Sequence, residues 1–189
     1  MFEVVPEERR SLILYTDSYV IRGSASTRQH RLTDLLNGAD QGFVVLEDVV
    51  IEEFGSRAEP QRAEFAQVNL DSILFAVSDT PVAPLPELRI PREPQQALVS
   101  VPPFKVVGFV HLAVEATIRD GLASLTGRFL PVTEATYWSE TIGEPRQTAI
   151  MLAVNHRRAQ IFAPYLVSDP WAGMPTPKPP EETGAPEAG

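Results

Sequence analysis

Two stretches of this chain, Gly42 to Ile51 (GFVVLEDVVI) and Gly127 to Tyr137 (GRFLPVTEATY), align with one another at an offset of 86 residues. Phe43 answers to Phe129, Leu46 to Val132 and Asp48 to Glu134. The correspondence runs further in both directions. At an offset of 85, Leu98-Val99 answers to Ile13-Leu14, Phe104 to Tyr19, Val106 to Ile21 and Gly108 to Gly23. At 86, Ile118, Asp120 and Leu122 answer to Leu32, Asp34 and Leu36, and Val154-Asn155 to Val68-Asn69; at 87, Ile161-Phe162-Ala163 answers to Leu74-Phe75-Ala76. An offset that grows only from 85 to 87 confines insertions to loops, and similarity kept in order at a fixed period predicts one folding unit written twice.

Length and composition are compatible with that reading. A chain of 189 residues, 43% hydrophobic, has material for one sizeable domain or two small ones, and the duplication favours two. The formal net charge of −9 and pI near 4.8 support solubility and work against binding to phosphate backbones or anionic lipid, which need local Lys/Arg density. Cysteine is absent, which excludes disulfides, thiolate catalysis and Cys-ligated metal sites. The start, MFEVVPEERR, is acidic where a signal peptide is basic, and no run approaches the ~20 apolar residues of a membrane span. The expectation is a soluble cytoplasmic protein without membrane or DNA partners.

Local patterns predict a mainly β chain. Ser11–Thr16 and Tyr19–Ser26, β-branched and aromatic around Asp17-Ser18, read as a hairpin. In Thr27–Gly38, Leu32, Leu35 and Leu36 share one face of a short helix that stops at Asn37-Gly38. Phe43–Phe54 reads as a bent strand, and Glu64–Asn69 with Ser72–Val77 as a second hairpin turning at Asn69-Leu70-Asp71. Four or five strands and one short helix in about 70 residues is the content of a small barrel of the Sm or SH3 type. The expected organisation is a first β-barrel over 1–77, a proline-rich linker over 78–97, a second barrel over 98–167 and a disordered tail over 168–189. The linker carries prolines at 81, 84, 86, 91 and 94, with Leu85, Leu88 and Ile90 as possible anchors of a strap. The tail carries six prolines and the single large aromatic Trp171. Gly121 in place of Leu35 weakens the second helix, and Pro131 in place of Val45 demands an edge or a bulge.

The second copy, read as Val110-His111-Leu112 and Phe129-Leu130-Pro131-Val132-Thr133-Glu134, resembles a bacterial domain of unknown function. That domain has a Val-His-Leu strand, an Arg-Leu-Ser-Asp-Leu-Leu-Asn helix and a Phe-Leu-Pro-Leu-Thr-Asp strand. The helix signature is kept in the first copy, Arg31-Leu32-Thr33-Asp34-Leu35-Leu36-Asn37. The resemblance spans about 70 residues of each half. It implies a folding unit, loosely Sm-like, and no mechanism.

Catalytic and cofactor motifs are missing from the sequence. His30, His111 and His156 lie in different elements without a metal-ligand spacing, and His111, alternating with Val110 and Leu112, reads as a hydrogen-bonded strand residue. No GxSxG, GxxxxGK[ST] or GxGxxG occurs, so neither a serine nucleophile nor a phosphate loop is expected, and no cofactor or metal is assigned. Glu47-Asp48 and Glu52-Glu53 lack the alternating oxygens of a calcium loop. Asp48 and Glu134 hold equivalent places and, if they converged in a cleft, would make a carboxylate-dependent hydrolase; repeated acids next to a strand are more commonly turn residues. Two basic clusters remain: Asn155-His156-Arg157-Arg158, at the turn expected to close the second barrel, and Arg28 with Arg31 beside the first helix. They are candidate contacts for a protein partner or RNA, weighed against plain exposed turns of an acidic protein. The favoured expectation is a non-enzymatic protein that binds a partner or self-associates, with Sm-like RNA binding as the alternative.

Overall fold

The computed structural model describes residues 7–29, 31–39, 41–78, 92–114, 116–124 and 126–165. His30, Trp171, most of the 78–97 segment and the 168–189 segment lie outside the described residues. The chain is mainly β. In order it forms β1 (Glu8–Tyr15), β2 (Tyr19–Thr27), α1 (Leu32–Asn37), β3 (Phe43–Glu53), β4 (Gln61–Asn69) and β5 (Phe75–Ser78). There follow β6 (Arg92–Val101), β7 (Phe104–Ala113), α2 (Ile118–Ala123), β8 (Phe129–Ser139), β9 (Glu144–Asn155) and β10 (Ile161–Pro164). β6 begins at Arg92, inside the proline-rich segment, and pairs with β7 along its whole length.

All ten strands join one open antiparallel sheet in the order β10-β6-β7-β8-β9-β5-β1-β2-β3-β4. This overturns the expectation of two separate small β-barrels of Sm or SH3 type. A barrel in the first half would have closed on its own strands. Instead β5 pairs with β1 on one side and with β9 of the other half on the other, which leaves β4 at one end of the sheet and β10 at the other. The expected β4–β5 hairpin is likewise not formed, nor does a β9–β10 hairpin close around residues 155–158, because the strands flanking each turn occupy separate places in the sheet. The physical reason lies in β5. Phe75, Ala76 and Val77 are all buried, so this short strand needs cover on both faces and neighbours on both edges, and β9 supplies the second edge.

The core crosses the middle of the sheet. One apolar cluster joins Tyr15, Leu74 and Phe75 to Phe104, Tyr137 and Leu152; another joins Leu14, Leu36 and Leu46 to Phe129 and Ala153. Tyr15 stacks on Phe75 at 4.4 Å between ring centres, and Phe104 and Tyr137 meet both rings edge-on. Each cluster draws on both halves.

Each half contains a matching bulge. The β2–β3 ladder shifts between Arg22 and Ser24, and the β7–β8 ladder between Val107 and Phe109. The residue skipped is Gly23 in one and Gly108 in the other. Across from them Asp48 and Glu134 take left-handed backbone angles, φ 51° and 48°. A Cβ on Gly108 would stand 2.8 Å from the Thr133 carbonyl oxygen and 2.6 Å from Val132 Cγ1, so the bulge forces glycine there. Pro131 is accommodated as its sequence demands: the β7–β8 pairing ends at Phe109↔Thr133, so the flank of β8 at residue 131 has no ladder to interrupt.

Candidate interaction surface

The predicted basic turn is a structural hub. Asn155 is buried at 1% exposure, and its amide nitrogen donates to the carbonyls of Leu70 (3.3 Å) and Ile73 (2.9 Å) in the opposite half. Its oxygen accepts from the backbone of Arg157, and its own backbone N–H donates to the Leu74 carbonyl. One side chain thereby holds the β4–β5 turn against β9. His156 lies 2.7 Å through Nε2 from the carbonyl oxygen of Gly127; a carbonyl only accepts, so Nε2 carries the proton. Arg158 pairs with Asp17 at 2.5 Å, across the two halves. Arg157 is exposed, as are Arg28 at the foot of β2 and Arg31 at the start of α1.

Most of the remaining singled-out groups have partners in the fold. His111 Nε2 meets Thr133 Oγ1 at 2.7 Å, bridging β7 and β8. Asp48 is ion-paired with Arg9, and Glu134 is exposed at its bulge. The phenol of Tyr15 shares a 3.1 Å hydrogen bond with that of Tyr137, and burial, with help from that bond, pushes its ionisation far above the usual range. Among the described residues no group of three His, Cys, Asp or Glu is placed to hold a metal ion, and no helix is long and apolar enough to cross a membrane.

Sequence reasoning missed the seam where β5 meets β9, and with it the contrast between the seam and the ends of the sheet. Asn37, last residue of α1, reaches over β8 and makes two hydrogen bonds to one residue: Nδ2 to the Phe129 carbonyl (2.9 Å) and Oδ1 from the Phe129 N–H (2.8 Å). With α1 in place Phe129 is 3% exposed, whereas Phe43, its counterpart 86 residues earlier, is 40% exposed. Val45 and Phe65 stand on the same face of the sheet as Phe43, since β3 and β4 pair Phe43↔Asn69, Val45↔Gln67 and Glu47↔Phe65. Both are exposed, Phe65 at 66%. The signal for this patch was in the repeat itself: residues matched in type do not match in cover, and a pattern of apolar side chains does not say which copy has a neighbour.

No family model matches the chain, and no curated protein or solved structure is significantly similar to it.

Proposed function

We propose that this chain is a non-enzymatic assembly protein, built from two copies of one five-stranded unit and working through protein–protein contacts along the free edge of β4. The duplication is supported by the strand order. Residues 8–78 run β5-β1-β2-β3-β4 and residues 92–164 run β10-β6-β7-β8-β9, with a short helix after the second strand and a bulge between the second and third strands of each. The non-enzymatic reading is supported by the two described histidines, which are engaged inside the fold, His111 with the Thr133 hydroxyl and His156 with the Gly127 carbonyl.

The observation that carries the proposal is the apolar patch of Phe43, Val45 and Phe65 next to a strand edge that no described strand pairs with. Native sheets seldom leave an edge of that kind uncovered, because its N–H and C=O groups are a template for another strand and its aromatics gain by burial. A partner that adds a strand beside β4 satisfies both.

The test is amide hydrogen exchange on the protein recovered from its own cells under native conditions, compared with the same chain refolded and highly diluted. Slower exchange over residues 61–69 in the recovered protein is expected. Equal exchange in the two samples would show an edge that nothing occupies and would sink the proposal.

A further inference from the structure

We infer that the partner of the β4 edge is β10 of a second copy of this chain, so that molecules associate head to tail through a junction that repeats the internal β5–β9 seam. The inference rests on the assembly reading above and names the occupant.

The internal seam is the template. There β5 lies antiparallel to β9 with Phe75↔Val154, Ala76↔Ala153 and Val77↔Leu152. The strands left at the two ends of the sheet are the counterparts of that pair. β4 corresponds to β9 at an offset of 86, as the ladders Phe43↔Asn69 and Phe129↔Asn155 require. β10 corresponds to β5 at the same offset, since Leu74 N–H donates to the Tyr15 carbonyl and Gln160 N–H to the Ser100 carbonyl. The ladders thus set Ile161 against Phe75, one residue from the alignment by residue type. Each molecule carries both halves of the seam, one at each end, and among the described residues no strand pairs with either.

The side chains agree. Phe75 is fully buried at the seam, while its counterpart Ile161 is 56% exposed. Phe129, covered at the seam, has the exposed counterpart Phe43. Asn155 spans the seam by donating to Leu70 and Ile73 carbonyls. Asn69 makes the same turn, accepting from the backbone of Asp71 as Asn155 accepts from Arg157, but stands exposed at the sheet's end. Its amide is placed to donate to the carbonyls of residues 156 and 159 of a neighbour.

The counterparts also set the strength. Tyr15 corresponds to Ser100, Leu74 to Gln160 and Asn37 to Ala123, so the second junction has less aromatic packing and no bidentate clamp. Association is therefore reversible and concentration-dependent, and with a net charge of −9 per chain it tightens as salt screens repulsion. Two unlike edges meet, so the contact is heterologous: copies add in one direction, to a ring if the rotation closes and a filament if it does not.

Moving the seam register by 86 on each strand predicts Ile161 opposite Val68, Phe162 opposite Gln67 and Ala163 opposite Ala66. The last pair copies Val77↔Leu152. The backbone bond from Asn155 to Leu74 sets the alternation of the ladder, which makes that pair non-hydrogen-bonded, the close spacing suited to a disulfide. Because the natural chain has no cysteine, full-length Ala66→Cys and Ala163→Cys chains can be mixed and mildly oxidised without side reactions. Dimers crosslinked only in the mixture, together with wild-type sedimentation showing species larger than a monomer at high concentration, are the expected result. Crosslinking of the Ala66→Cys chain to itself would mean a β4–β4 contact and overturn the inference. A wild-type chain that stays monomeric at all concentrations and salts overturns it without reference to any variant, as does an oligomer that yields no crosslink in the mixture. If residues 61–69 are nevertheless protected in the native sample, the edge belongs to another polypeptide and the assembly reading stands. If they exchange freely, both fall.

Discussion

The helices α1 and α2 occupy the same place in the two halves and are held there by different forces. α2 is held locally: Thr117 Oγ1 accepts from the Asp120 N–H and the Asp120 carboxylate accepts from the Thr117 N–H, a reciprocal capping box. Gly121 then lets the helix approach β7, where a Cβ would come within 2.4 Å of Leu112 Cδ2. α1 has no side-chain cap at Arg31 and depends on the other half, through Asn37 on Phe129 and through Leu36 in the shared core. Six residues are too few to form a stable helix alone, so each needs an anchor. The helix at the seam takes it from across the sheet, and the helix far from the seam makes its own. Duplicated units thus diverge according to what covers them.

Substitutions at matched positions put numbers on that contrast. The largest effect is expected at the seam: Phe75→Ala should cost about 3–5 kcal/mol of unfolding free energy, as for a fully buried aromatic. Ile161→Ala, at the matched position, should stay within about 0.5 kcal/mol in dilute monomer. Denaturant titration of both variants checks this, and equal losses would mean that the two strands are equally covered.

A smaller difference is expected at the paired bulges. Gly108→Ala forces a methyl against the backbone of Thr133 and Ala135 and should cost roughly 1–3 kcal/mol, more than Gly23→Ala, whose closest contacts are at 3.0 Å. Thermal unfolding of the two variants reads the order directly. For the helices, Asn37→Ala removes two hydrogen bonds and should cost about 1–2 kcal/mol, with faster amide exchange at residue 129.

Of the bulge and helix variants Thr117→Ala should have the least effect, about 1 kcal/mol, with faster exchange confined to α2. The Thr117 hydroxyl and backbone N–H hold the Asp120 carboxyl below the usual carboxylate range. A lowered native pKa means that the cap contributes fully above the ordinary aspartate range and is lost as pH falls through the depressed value. The acid-induced fraying of α2 should therefore begin at higher pH in Thr117→Ala, as NMR titration of residues 118–123 can show.

Much of the local structure was legible in the sequence. The Asp17-Ser18 hairpin, the Leu32–Leu36 helix and the bent strand from Phe43 are set by neighbours in the chain, so alternation and turn residues announce them. The partner of β5 was not legible. Phe75-Ala76-Val77 reads the same whether it pairs with β4 or β9, because burial on both faces specifies that a strand has neighbours and not which ones. The part that the 155–158 turn plays inside the fold was hidden for a related reason. A polar turn such as 155–158 looks solvated, and only tertiary contacts show that Asn155 faces inward onto the Leu70 and Ile73 carbonyls. The exposure of Phe65 is the converse case: Glu64–Asn69 reads as a strand, and its pattern does not say that no described strand lies beyond β4 to cover Phe65.

The bulges at Asp48 and Glu134 also decide how firmly the sheet is aligned. Along β3 the inward residues are Val44 and Leu46, then Val49; along β8 they are Leu130 and Val132, then Ala135 and Tyr137, an even series giving way to an odd one in both. A strand with one unbroken alternation can slide by two residues and still bury its apolar side. A strand whose phase changes part-way has only one setting in which both segments point inward. Asp48 and Glu134 thus act as index marks against slippage, fixing third strands whose ends carry the seam in one half and the free edge in the other.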